Sequence, residues 1–414
     1  MTSEKHLYAI PTNRDASKSI KSLANDIAVA IDEHVLLPEQ LIFVLLDSST
    51  QATFDRNHAQ LKASFKALQI ACLHIPVSAF DARLNQVLDP KLAALVVGSG
   101  FSYGKMVNKI SIIAHLLGAH YIHRRDSDVY LQANNTQITP LIAEMRAFNE
   151  NDQFLLVGSS YLGAWGIDYS DVADDLPTLR KLFSLSKPTY SPSQLDDYIN
   201  NKYVQGSTET FPGDLAFSEQ KSNYIDAGNF ALKEVFLNIP VSPANITSGT
   251  DYLYHTLVGK SGWRMVYHND RVVHQYNENR YDQIDHLTYG HSKLLSRLMT
   301  TVTNNALTDV SLSDDFNDMA QQVAAAYLST VDSAELLAKL KTTIQRFVAV
   351  YASIDLPHYQ AIATNVAQQP DTYLEKTITD VHHFIDLIQN WTVILKNTQA
   401  LELAPFAIST DNSR

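Results

Sequence analysis

Leu41-Ile42-Phe43-Val44-Leu45-Leu46-Asp47-Ser48-Ser49 is the stretch on which the fold turns. Its apolar run shows no polar alternation, so it reads as a strand buried on both faces whose polar end, from Asp47, emerges at a sheet edge. Strands covered on both faces belong to parallel sheets flanked by helices. Upstream, His6 to Ile10 reads as a short strand stopped by Pro11, and Ile20, Leu23, Ala24, Ile27, Ala28 and Ile31 recur at helical spacing. Downstream, Leu61, Phe65 and Leu68 mark a second helix and Ile70 to Ile75 a third strand. Leu92 to Val97 is a fourth strand or the end of a helix. Ile110, Ile113, Ala114 and Leu117 mark a helix stopped by Gly118, a residue suited to the left-handed C-terminal position, and Tyr121-Ile122-His123 follows as a strand. Alternating strand and helix predicts an α/β fold with a mostly parallel sheet.

Past Ile284 strand signals nearly vanish. Helices are expected over Ser292 to Val302, Phe316 to Leu328, Ala334 to Ile354 and Tyr373 to Leu395, with Pro357 and Pro370 as breaks. This divides the chain into an α/β domain over 1–290 and an all-α C-terminal domain over 291–414, whose apolar faces suit an acceptor groove or a homodimer.

The 414 residues are 45% hydrophobic, enough for a substantial core, and the net charge of −12 disfavours nucleic acid as a main partner. Cys72 is the only cysteine and sits in an apolar run, which favours a reducing, cytoplasmic setting. The opening residues lack the apolar core of an export signal, and no run approaches the roughly 20 apolar residues of a transmembrane segment.

Chemistry centres on Asp126-Ser127-Asp128. Two carboxylates one residue apart at a strand exit can both reach a hard cation, which prefers oxygen ligands and completes its shell with substrate phosphates and water. The same triplet is common in surface turns, so its neighbours decide. Tyr8-Ala9-Ile10-Pro11-Thr12-Asn13-Arg14 puts a polar loop at the end of the first strand, and Asp47 ends the second. In open α/β sheets ligands bind outside the carboxyl ends of strands, which places these loops and the triplet on one crevice.

Further along come Asp226-Ala227-Gly228-Asn229-Phe230-Ala231-Leu232-Lys233-Glu234-Val235-Phe236, then Ser248-Gly249-Thr250-Asp251-Tyr252, then Gly262-Trp263-Arg264-Met265-Val266-Tyr267, then Val272-Val273-His274. The series resembles the large bacterial GT-A family of inverting glycosyltransferases, glycosyltransferase family 2. Its members carry Gly-Gly-Asn, Gly-Glu-Asp, Gly-Trp and Val-x-His runs in this order. The Pro-Thr-Asn loop, the Asp-Ser-Ser turn and Lys105-Met106-Val107-Asn108-Lys109 are similar to the family too, so the resemblance covers residues 6–280. It implies a GT-A nucleotide-sugar-binding domain and transfer of a sugar, from a UDP-sugar for preference, to a glycan, peptide or protein acceptor. It implies that Pro11, Thr12, Asn13 and Asp47 form the nucleotide pocket, with Asn108, Lys109, Arg125 and Asp126 also on the donor. Asp126 and Asp128, with His274, would hold Mn2+ or Mg2+, and Asp251 would be the general base. Asp251 is alternatively a helix cap, and His274 a satisfied strand histidine.

The chain also departs from the family. Arg124 and Arg125 precede the triplet where apolar residues are usual, Gly-Glu-Asp is Gly249-Thr250-Asp251, and the first glycine of Gly-Gly-Asn is Ala227. The arginines either pair with the diphosphate or the carboxylates, or end the strand early. Two rival functions are a sugar nucleotidyltransferase, against which the glycine-free Pro11-Thr12-Asn13-Arg14 loop speaks, and a non-catalytic carbohydrate-binding or scaffold protein.

Overall fold

The computed structural model describes residues 4–98, 102–132, 138–163, 170–172, 174–200, 215–219, 225–246, 249, 252–275 and 285–408. The first half runs β1 (Lys5–Thr12), α1 (Ser17–Asp32), β2 (Leu41–Asp47), α2 (Gln51–Phe65), β3 (Ala71–Pro76), α3 (Val77–Val87), α4 (Pro90–Val96), α5 (Tyr103–Leu117) and β4 (Ala119–Arg125). There follow β5 (Val129–Leu131), α6 (Pro140–Glu150), β6 (Phe154–Gly158), β7 (Tyr161–Gly163), α7 (Leu176–Ser184), α8 (Pro192–Ile199), β8 (Phe217–Ser218), β9 (Asn229–Lys233), α9 (Tyr252–Val258), β10 (Arg264–His268) and β11 (Val272–His274). The C-terminal region is α10 (His286–Leu307), α11 (Phe316–Thr330), α12 (Ala334–Ala352), α13 (Pro357–Gln368) and α14 (Pro370–Thr398).

The central sheet has the order β3-β2-β1-β4-β9-β6-β10-β8. β1 pairs in parallel with both β2 and β4, β2 with β3, and β6 with β10, while β9 runs antiparallel between β4 and β6. The expected mostly parallel α/β sheet is thus present. Every residue of β2 is buried, as its unbroken apolar run requires. Ile42, Val44 and Leu46 join the core shared with α3, α4 and α5, whereas Leu41, Phe43 and Leu45 join the core under α1 and α2. Strand period two thus splits one uniform run between two helical layers.

β4 continues through Arg124 and Arg125, so the arginines do not end the strand early. Leu92 to Val96 lies in helix α4, capped by Asp89, whose side chain accepts from the amides of Lys91 and Leu92. Gly118 ends α5 at φ 64°, the left-handed position expected of it.

The helical region begins at Asp285, which caps α10, so the expected boundary near 290 falls inside that helix. Pro357 and Pro370 open α13 and α14 from the first turn, where a missing amide costs no hydrogen bond. The region is no separate layer: α14 lies against α3, α4 and α5, and its apolar residues belong to the same core as one face of the sheet. Trp391 is fully buried there and donates from Nε1 to the Phe236 carbonyl at 3.0 Å. Among the described residues no helix is long and apolar enough to cross a membrane.

Candidate active site

The chain crosses from β1 to β2 and β3 on one side and returns to β4 on the other, so strand order reverses at β1. In open α/β sheets such a reversal, at the carboxyl ends of the strands, is where ligands bind. Three polar turns meet there: Thr12 to Asp15 after β1, Asp47 to Ser49 after β2, and Asp126 to Asp128 after β4.

The β1 loop is held from below. Asn57 on α2 donates to the Arg14 carbonyl at 3.0 Å and to Asp47 Oδ2 at 2.9 Å, and its Oδ1 accepts from the Ala16 amide at 2.9 Å. Asp47 Oδ2 also receives His74 Nε2 at 3.1 Å, and its Oδ1 the Ser49 amide at 2.7 Å. Burial alone would raise the Asp47 pKa, but these hydrogen bonds outweigh it and hold the carboxyl below its usual range. Asp47 therefore fastens the β1 and β2 loops from a buried position, and Phe54 stacks on His74 with centroids 3.7 Å apart. Pro11 is half-buried, Thr12 is buried and bonded to the Arg14 amide at 3.2 Å, and Asn13 is exposed.

The β4 turn is fixed by α1, where Ser19 donates to the Ser127 carbonyl at 2.8 Å, and by β5, which pairs with β11 so that Val129 faces His274. β11 also pairs with β7, which carries Tyr161. This small second sheet gathers Asp126, Asp128, Tyr161 and His274. Asp126 Oδ1 accepts from Arg124 Nη2 at 3.0 Å and Oδ2 from the Tyr161 hydroxyl at 2.7 Å. Asp128 Oδ2 accepts from Arg14 Nη1 at 2.9 Å, and its Oδ1 lies 3.4 Å from His274 Nε2. The His274 and Tyr161 rings stack at 4.6 Å. Burial, with Asp126, Asp226 and Asp128 nearby, raises the Tyr161 phenol well above its usual pKa, so it remains a donor to Asp126.

Gly228 makes the closeness possible. A Cβ there would stand 2.4 Å from both Asp126 Cγ and the Tyr161 hydroxyl, and the Gly228 amide donates to that hydroxyl at 2.7 Å. Two carboxylates at a strand end are oxygen donors of the kind that Mg2+ or Mn2+ takes. The glycine cradle gives Asp126 room on its protein side. Among the described residues no three His, Cys, Asp or Glu side chains form a ready chelate. The donor set nevertheless fits a cation of the kind that takes its remaining oxygens from substrate phosphates and water.

Three expected site residues lie apart from these carboxylates. Strand alternation sends Arg125 to the opposite face from Arg124, where its two terminal nitrogens meet Glu144 at 2.9 and 3.0 Å in a fully buried cluster with His123, Asp26 and Tyr8. The Asn108 amide clasps the Val241 backbone with two 2.9 Å hydrogen bonds, and Lys109 pairs with Asp81 at 2.7 Å. Both belong to the packing of α5. Asp251 lies outside the described residues, immediately before α9. Tyr161 carries no motif and emerges only from the pairing of β7 with β11, while Arg14, legible as part of the polar loop after β1, gains its partner Asp128 only from the return of that loop.

Among solved structures the chain is similar to a mannosyltransferase, PcManGT, from Pyrobaculum calidifontis in complex with GDP-Man and Mn2+. The match has 14% identity and a TM-score of 0.38, covering 95% of this chain and 86% of that one. It is also similar to glucosyl-3-phosphoglycerate synthase from Mycobacterium tuberculosis in complex with Mn2+, UDP-glucose and phosphoglyceric acid, at 14% identity and a TM-score of 0.40 over 71% of this chain and 79% of that one. No curated protein matches the chain. The model of a family of unknown function, DUF6271, matches residues 5–153 and 143–406, nearly the whole sequence, and the chain belongs to that family.

Proposed function

We propose that the chain is a GT-A-type glycosyltransferase of the inverting kind, which moves a sugar from a nucleoside-diphosphate sugar, UDP-linked for preference, to a glycan, peptide or protein acceptor. The observation that carries this reading is the convergence of Asp126, Asp128, His274 and Arg14 at the strand-order reversal, with Asp126 packed against Gly228.

Asp126 and Asp128, with His274 beside Asp128, would hold Mn2+ or Mg2+, and a bound cation supplies charge neutralisation for the departing nucleoside diphosphate. The loop Pro11, Thr12 and Asn13, steadied by Asp47 and Asn57, forms one wall of the nucleotide pocket. Arg124, pinned on Asp126, adds fixed positive charge beside the diphosphate. Asp251 is the proposed general base: it takes the proton of the acceptor hydroxyl as that oxygen bonds to the anomeric carbon and the bond to the diphosphate breaks. A single displacement inverts the anomeric centre. The helical tail backs the sheet, and a homodimer through it would have to use its exposed apolar side chains, such as Leu287, Leu328 and Val393.

A thermal-shift screen with UDP-, GDP- and dTDP-sugars, with and without Mn2+, tests the reading. One donor should raise the melting temperature in a Mn2+-dependent way. Slow metal-stimulated hydrolysis of that donor should vanish in Asp128→Ala. If no sugar nucleotide shifts the melting temperature in the presence of Mn2+, the proposal fails.

A further inference from the structure

Two guanidinium groups sit on the two carboxylates, and they are held very differently. Arg124 is 1% exposed, lies over the rings of Tyr103 and Phe230 at 4.5 and 5.7 Å, and is locked on Asp126. The Arg14 side chain is 26% exposed and reaches Asp128 from the crevice. Its backbone is tied down by Thr12 and Asn57, with its carbonyl accepting from both at 3.0 Å. Its head, by contrast, rests on Asp128 at 2.9 Å and on the exposed Asn13 at 3.3 Å.

The charges suggest why. Asp126 and Asp128 each already carry an arginine, so a divalent cation entering alone must displace or face a guanidinium. A cation arriving with a diphosphate brings its own compensation. Arg14 is the group free to move, and a guanidinium fork suits phosphate oxygens as well as it suits a carboxylate. The loop that carries it is the one placed against the nucleotide.

We propose that Arg14 is a displaceable counter-ion: it neutralises Asp128 in the substrate-free protein, yields that carboxylate oxygen to the divalent cation, and turns onto the diphosphate of the donor. This rests on the glycosyltransferase reading and deepens it. Arg14 is then a donor-binding residue that couples the two ligands, since whatever frees it from Asp128 makes it available to phosphate.

The coupling predicts opposite signs from one substitution. In Arg14→Ala, free Mn2+ measured by electron paramagnetic resonance should show binding of the ion alone tightened several-fold, because Asp128 has lost its competitor. Calorimetric titration of UDP or GDP at saturating Mn2+ should show the nucleotide bound about tenfold more weakly, the loss of one charge-assisted contact. Arg14→Lys, which keeps the charge without the fork, should fall between on both readouts and guards against a folding defect. If Arg14→Ala weakens both ligands, or leaves Mn2+ binding unchanged, Arg14 is a fixed structural partner of Asp128 and the inference is overturned. If the full-length wild type binds no Mn2+ even with nucleotide present, the metal-dependent glycosyltransferase reading falls first and takes this one with it.

Discussion

Replacing Gly228 by alanine adds one methyl group at the most crowded point of the site. The new carbon would lie 2.4 Å from Asp126 Cγ, 2.4 Å from the Tyr161 hydroxyl and 2.5 Å from Asp126 Oδ2. Non-bonded carbons relax at about 3.5–4.0 Å, so these groups must retreat by about 1 Å. Retreat is hindered, because the Tyr161 ring is stacked on His274 and its hydroxyl bridges Asp126 and the Gly228 amide, each at 2.7 Å. Overpacking of this kind costs about 1–3 kcal/mol of stability. A displacement of about 1 Å in a group that positions reactants costs about 100-fold in rate. Gly118 supplies the control: it sits at φ 64° with open space around its would-be Cβ, so Gly118→Ala should lose about 1–2 kcal/mol through backbone strain and nothing in chemistry. Thermal unfolding and Mn2+-dependent hydrolysis of the sugar nucleotide, measured on both variants, separate the two effects. Should Gly228→Ala keep wild-type Mn2+ affinity and turnover while Gly118→Ala is the less active protein, the account of the carboxylate cradle is refuted.

Two other predictions concern the buried cluster behind β4. Glu144→Gln removes the charge that answers Arg125 at 2.9 Å in a site with no solvent exposure, leaving, among the described residues, the Asp26 carboxylate at 3.7 Å, and should cost about 3–5 kcal/mol in urea unfolding; a loss under about 1 kcal/mol contradicts the assignment. His268 is pushed down to about 4 from 6.5 by burial, with Arg125 also lowering it and Glu144 opposing. Its imidazole is neutral in both states above pH 6.5. Between 6.5 and 4 the unfolded chain takes up a proton that the folded one refuses, so stability falls by about 3 kcal/mol across that window and no further below it. His268→Gln should lose correspondingly less between pH 7 and pH 4 than the wild type, and equal losses would rule the effect out.

Much of the fold is legible in local pattern. The unbroken run Leu41 to Leu46 demands two apolar faces, and the structure supplies a helical layer on each side. Gly118 announces the end of α5, and the prolines at 357 and 370 announce breaks that prove to be helix starts. Leu92 to Val97 fits strand and helix alike as a short apolar run, and the structure makes it the end of a helix that Asp89 caps and Val97 closes. The Asp126-Ser127-Asp128 turn and the end of β1 were visible as polar strand exits, and pairing of β1 with both β2 and β4 brings them together.

By itself the sequence determined which residues bear charge, which strands are buried and that a carboxylate pair leaves β4. Only the tertiary structure decided what those charges face. Alternation along β4 turns adjacent Arg124 and Arg125 to opposite sides of the sheet, one onto Asp126 and the other into the interior against Glu144. Helix α5 directs Asn108 and Lys109 to Val241 and Asp81, away from the metal-binding candidates. Arg14 and Tyr161 join Asp128 and Asp126 across long stretches of chain because β7 and β5 both pair with β11 and the β1 loop folds back over α2. Side-chain direction and long-range strand pairing are set by packing, so a pattern read along the chain names the participants without assigning their partners.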